Sequence, residues 1–149
     1  MRGILLLSLA ALAACSDSTD PTDPSSALAD ARARWAGAGV ANYQYTITRG
    51  CECSPESVGP VVIEVRNHQV QTRRYLSGTA VDPQFAELFT AVPGLFDLID
   101  EAIQEPAAGL AVRYNAEFGY PETIQIDWVA GFADDEVSYH ISDFTILAP

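Results

Sequence analysis

Apolar and polar residues alternate strictly along much of the chain. Over residues 43–48, Tyr43, Tyr45 and Ile47 alternate with Gln44, Thr46 and Thr48; over 61–66, Val61, Ile63 and Val65 alternate with Val62, Glu64 and Arg66. A period of two sends successive side chains to opposite faces of a strand, so both stretches read as strands buried on one side. A third strand is predicted over 69–75, joined to the second by Asn67-His68, a tight hairpin turn in which Asn67 suits a positive φ. The alternation returns later, with Leu110, Val112 and Tyr114, then Ile124, Ile126 and Trp128, then Val137, Tyr139 and Ile141. Gly119-Tyr120-Pro121 and residues 130–135 form the connections.

Helical periodicity marks two other segments. Residues 27–36 are good helix formers with Ser26 placed as N-cap, Leu28 and Trp35 on one face, and Gly37 and Gly39 at the end. Residues 93–105 carry an apolar stripe of Leu95, Leu98, Ile99, Ala102 and Ile103 against a wet face of Asp97, Asp100, Glu101 and Gln104, and Pro106 stops them. Asp82-Pro83 has the form of a cap and first helical position, which predicts a short helical segment over 84–90. The order is α-β-β-β-α-β-β-β, a weak duplication of an αβββ unit. The fold class is therefore α+β, an antiparallel sheet of about six strands with two helices on one face, because clean alternation means that each strand buries a single side. Trp35, Leu98, Ile99 and Ile103 are expected to pack on Tyr45, Ile63, Val112, Ile126 and Tyr139.

The first residues follow another pattern. Arg2 precedes a short apolar run over 4–12, and Leu12-Ala13-Ala14-Cys15 closes it with small residues before a cysteine. The run falls short of the ~20 apolar residues that cross a bilayer, so it reads as a cleaved export signal. Its ending resembles a bacterial lipobox, which makes residues 1–14 a lipoprotein signal peptide and Cys15 the acylated N-terminus. Residues 16–26, SDSTDPTDPSS, contain no large apolar residue, so 15–26 are expected to be the lipidated cysteine and a disordered tether, with a single globular domain over 27–149. The expected location is the bacterial cell envelope, lipid-anchored, and Ser16 favours the periplasmic side of an outer membrane where the cell has one.

Charge narrows the partners. Twenty acidic residues face eight basic ones, a net charge of −12. All the basic residues are Arg. Such a surface repels nucleic acid and anionic lipid head groups, so the membrane partner acts through the N-terminal lipid and any further partner is an envelope protein. Once Cys15 is lipidated, Cys51 and Cys53 have only each other as intramolecular partners in an oxidising compartment, which predicts a disulfide. A strand of normal rise holds side chains two apart too far from each other for that bond, so the chain must turn at Glu52, helped by Gly50 and Ser54-Pro55. The bond reads as a structural clip. A thiol-disulfide redox protein is the alternative, against which stand the lack of a thioredoxin-like βαβ pattern and of a cation inside the motif, Arg49 being the nearest.

Trp35, Tyr43-Gln44-Tyr45, Cys51-Glu52-Cys53, residues 60–65 (PVVIEV), 95–99 (LFDLI), Val112-Arg113-Tyr114-Asn115, Gly119-Tyr120-Pro121, Ile126-Asp127 and Asp134-Asp135-Glu136 occur here in one order. In that order they resemble a bacterial lipoprotein family catalogued as a domain of unknown function, family 6174. The resemblance runs from Trp35 to Phe144 and implies no activity. The chain departs from it at Asn67-His68, where an Asp-Gly-like turn is expected, and at Asn115 in place of Asp, which weakens any cation site there.

The remaining chemistry is thin. Asp127, Asp134, Asp135 and Glu136 gather carboxylates at one connection, but they match no EF-hand spacing and Phe132 interrupts them, so they are metal candidates only in the weakest sense and no metal or cofactor is expected. His68 falls in a turn and His140 on a polar strand face between Ser138 and Ser142, with no nucleophile elbow anywhere. The helix-free face of the sheet should carry Gln44, Thr46, Thr48, Glu64, Arg66, Gln71, Arg73, Arg113, Gln125, Asp127, Ser138 and His140. Arg66, Arg73, Arg113, Gln125 and His140 are its candidate binding residues, with arginines as anchors. The expected role is a non-enzymatic binding or interaction module; inhibition of a secreted enzyme through the same face is the other form.

Overall fold

One antiparallel sheet organises the protein, seen in a computed structural model that describes residues 23–131 and 134–149. Its strands are β1 (Tyr43–Gly50), β2 (Val61–Arg66), β3 (Gln69–Tyr75), β4 (Gly109–Tyr114), β5 (Pro121–Asp127) and β6 (Glu136–Ile146), in the spatial order β3-β2-β1-β6-β5-β4. The first three strands therefore run outward from β1, the last three run inward to β6, and the two meanders meet along β1–β6. Helices α1 (Pro24–Ala38) and α2 (Val92–Gln104) complete the α+β fold. The stretch expected to be an export signal, Cys15 and the expected tether as far as residue 22 lie outside the described residues. Among the described residues no helix is long and apolar enough to cross a membrane.

Helix α1 starts earlier than its periodicity suggests. Asp23, not Ser26, is the N-cap: its carboxylate accepts from the backbone N–H of Ser25 and Ser26 at 3.4 and 3.3 Å, and Pro24 occupies the first turn. Residues 24–26, read from sequence as tether, thus belong to the helix. At the other end Gly39 closes it in the left-handed conformation, φ 62°. Asp82-Pro83 behaves as expected, opening a 3₁₀ turn over Pro83–Leu88 with the Asp82 carboxylate on Gln84 N–H at 3.0 Å. The hairpin turn also holds, since Asn67 and His68 both have positive φ, 50° and 63°, as a two-residue turn of this kind requires.

The core lies between the helices and one sheet face. Tyr43, Tyr45, Ile47, Val61, Ile63 and Val65 are sealed from solvent, with Leu95, Phe96, Ile99 and Ala102 of α2 above them. Of the predicted contacts, Tyr45, Ile63, Ile99, Ile126 and Tyr139 are buried, while Trp35, Leu98, Ile103 and Val112 pack half-buried against them. Two tyrosines of β1 do more than fill space. Ala91 gives α2 no side-chain cap, and Tyr43 Oη supplies the acceptor instead, taking the Val92 N–H at 3.2 Å. Tyr45 donates its hydroxyl to the Thr90 carbonyl. Strand and helix are thereby fixed in relative height.

Phe144 is an unanticipated core member. It stacks on Tyr120 with ring centroids 4.3 Å apart and on Tyr43 at 5.6 Å, and Trp35 meets it edge-on at 6.0 Å. By simple alternation from Tyr139 and Ile141 the next inward residue is Asp143. An extra residue in β6, with Asp143 at φ 53°, moves that place to Phe144. The Gly119-Tyr120-Pro121 segment has a clear reason here. Gly119 has φ 83° and a Cβ on it would meet the Ala31 carbonyl oxygen of α1 at 2.4 Å, so only glycine lets the chain pass beneath that helix.

Candidate functional site

The face opposite the helices is the uncovered side of the sheet, and register assigns its positions. Across β4, β5, β6 and β1 three successive rows run Arg113–Thr123–His140–Thr48, Ala111–Gln125–Ser138–Gly50 and, on the first three strands, Gly109–Asp127–Glu136. Arg113, Ala111, Gln125, His140 and Thr48 are exposed. Gln44, Thr46 and Glu64 continue the face on the other half, half-buried.

Small residues hollow one end of this face, where β1 and β5 end and β4 and β6 begin. Gly50, Gly109, Ala111 and Ser138 leave a shallow depression of about 790 Å³, lined also by Gln125 and by the acidic side chains Glu52, Asp127 and Glu136. A Cβ on Gly50 would meet Ser138 Oγ at 2.5 Å, so a larger residue there requires the Ser138 hydroxyl to turn away. Asp127 Oδ1 is buried without a hydrogen-bond partner, and so are both carboxylate oxygens of Asp135. Asp134 is exposed, and among the described residues no three acidic, His or Cys side chains converge as metal ligands do. Asn115 organises a turn, its Oδ1 accepting from the N–H of Glu117 and Phe118 at 3.1 and 2.9 Å and its Nδ2 donating to Glu122 at 2.9 Å.

The candidate binding residues do not form one patch. Gln125, His140 and Arg113 are neighbours, and Arg113 is paired with Glu122. Arg66 lies at the far end of β2 and is occupied, with Nε on Glu64 at 2.9 Å and Nη1 on the Ala148 carbonyl at 2.6 Å. Arg73 is on the other face altogether. It pairs with Ile63 and its Nε donates to the Phe89 carbonyl at 2.6 Å, on the helix side. The cause is a bulge: Val65 pairs with Val70 and Glu64 with Thr72, so Gln71 has no partner and every later residue of β3 changes face. Arg74, not Arg73, projects on the open side, opposite Val62.

At the rim of the depression Cys51 and Cys53 are bonded, with Cα atoms 5.2 Å apart and Cys53 N–H donating to the Cys51 carbonyl at 2.9 Å, the tight turn at Glu52 that the spacing requires. Arg49 reaches over both sulfurs, its Nη1 lying 2.7 Å from Cys51 Sγ and 3.3 Å from Cys53 Sγ. Sequence reasoning noticed Arg49 only as a neighbour. Three positions along β1, from Ile47 to Arg49 to Cys51 past the strand end, would have put it on the same side as the first cysteine. The depression too was overlooked, although Gly109 and Ala111 are small residues at positions the alternation assigns to the polar face.

Titration is perturbed on the covered side, by burial. It pushes the Tyr43 hydroxyl up to about 12, with the Val92 N–H working the other way, and raises Tyr45 well above the usual tyrosine range. Tyr114 is likewise pushed up to about 12 by burial, opposed by Arg32.

No curated protein and no solved structure matches the chain. A family profile does, across nearly all the described fold, from residue 27 to residue 146. The chain belongs to the family of unknown function DUF6174.

Proposed function

We propose that this protein is an exported, lipid-anchored envelope protein whose domain binds a partner, and that the open sheet face around the depression is its contact surface. The observation that carries the reading is the depression itself: small residues on a polar, uncovered face, lined also by Glu52, Asp127 and Glu136. A partner segment with cationic side chains suits that acidic rim. The anchoring half rests on residues 1–15, with Cys15 as the acylated residue and the stretch before Asp23 as the spacer. A secreted enzyme held on this face would be the inhibitory form of the same activity.

Two variants test the two halves. Cys15→Ser should release the protein from detergent-extractable membrane without changing its melting curve; a variant that still partitions with membrane contradicts the anchor. Gln125→Arg, which fills the depression with positive charge, should abolish capture of a specific envelope protein that the unaltered domain retains, while Glu101→Arg on the outer side of α2 should not. Equal capture by both variants contradicts the surface.

A further inference from the structure

The Cys51–Cys53 disulfide has a feature that a clip does not need. A neutral disulfide gains little from a guanidinium, whereas a thiolate gains a great deal. Arg49 touches both sulfurs, at 2.7 and 3.3 Å, and is held there by its Nε–H on Tyr139 Oη at 3.2 Å and by its position 5.9 Å from the centre of the Tyr139 ring. Among the described residues it makes no ion pair, unlike Arg32, Arg66 and Arg113. Cys53 is exposed and Cys51 half-buried, so an incoming group has access to one sulfur while the cation is closer to the other. We infer that this bond is a thiol-disulfide exchange site, which accepts two electrons from a dithiol while Arg49 stabilises the thiolate that forms on Cys51.

The step balances as follows. A thiolate of the dithiol attacks Cys53 Sγ, the Cys51–Cys53 bond breaks, and its electron pair stays on Cys51 Sγ beside Arg49. The second thiol of the dithiol, after losing its proton, attacks the mixed disulfide and releases Cys53. The dithiol ends as a disulfide, and Cys51 and Cys53 end reduced, taking up the two protons that the dithiol gives up. Glu52 between the cysteines, and Asp127 and Glu136 across the depression, oppose the thiolate. Arg49 prevails because it is in direct contact with the sulfurs. The inference is independent of the binding reading above.

Reduction of the full chain by dithiothreitol, followed by alkylation and mass measurement, tests it. Arg49→Gln should slow reduction on the order of tenfold through the poorer leaving group, Arg49→Lys should recover most of the rate, and Glu52→Gln should speed it about threefold. If Arg49 merely shields a structural bond, Arg49→Gln speeds reduction or leaves it unchanged, and the inference fails. Should Arg49→Gln not fold, the Glu52→Gln arm decides alone: faster reduction supports exchange, and an unchanged or slower rate overturns it.

Discussion

Tyr45 and Thr46 are neighbours in β1 and meet opposite fates. Tyr45 is sealed under α2 with its hydroxyl committed to the Thr90 carbonyl, while Thr46 sits half-buried on a face that no helix covers. The same division runs across the sheet: Ile63 against Glu64, Ile124 against Gln125, Tyr139 against His140. The covered face is apolar, large and interlocked, and the Tyr43 and Tyr45 hydroxyls are each matched to a backbone group at the start of α2. The open face is polar and small, hollowed by Gly50, Gly109 and Ala111, and the buried Oδ1 of Asp127 has no partner there. One face spends its residues on stability. The other leaves interactions unmade, which is what a contact surface requires.

Substitutions on the two faces should therefore differ sharply. The largest effect is expected at Ile99, where truncation to Ala opens a cavity in the core and should cost about 2–5 kcal/mol in chemical denaturation. A loss below about 0.5 kcal/mol would mean that α2 does not bury this stripe. Gly119→Ala comes next at about 2–3 kcal/mol, from the left-handed backbone and the collision with the Ala31 carbonyl, and the same titration reads it. Tyr43→Phe keeps the ring but strands the Val92 N–H, and about 1–2 kcal/mol should be lost.

The covered face also carries a pH signature. Burial raises the Tyr43 hydroxyl from 10.0 to about 12, so the folded state holds its proton where the unfolded chain has released it. That stabilisation is complete below pH 10 and is lost as pH rises from 10 towards 12, and Tyr45 acts in the same direction. Stability measured across this window should fall less steeply in Tyr43→Phe than in the parent. The smallest effect belongs to the open face: Gln125→Ala should change stability by no more than about 0.5 kcal/mol.

The helices, the strands and the sidedness of the sheet were readable because they depend on periodicity, which each stretch carries by itself. What escaped depends on single residues that shift register. The unpaired Gln71 sends Arg73 to the helix side, and the extra residue near Asp143 brings Phe144 into the aromatic cluster. Neither bulge has a glycine or proline to announce it. The start of α1 was legible but missed, since Asp23-Pro24 repeats the signal that marks the 3₁₀ turn at Asp82-Pro83. The disulfide followed from the count and spacing of cysteines. Its contact with Arg49 did not, because it needs the turn at Glu52 to bring both sulfurs back beneath one side chain.

A photo-reactive amino acid placed at single positions in living cells tests the division of the two faces most directly. Installed at Ala111, on the open face, it should cross-link to one discrete partner, and installed at Glu101, on the outer side of α2, it should not. Cross-linking to the same partner from Glu101, or from neither position while the partner is still retained by the intact domain, would contradict the open face as the contact surface.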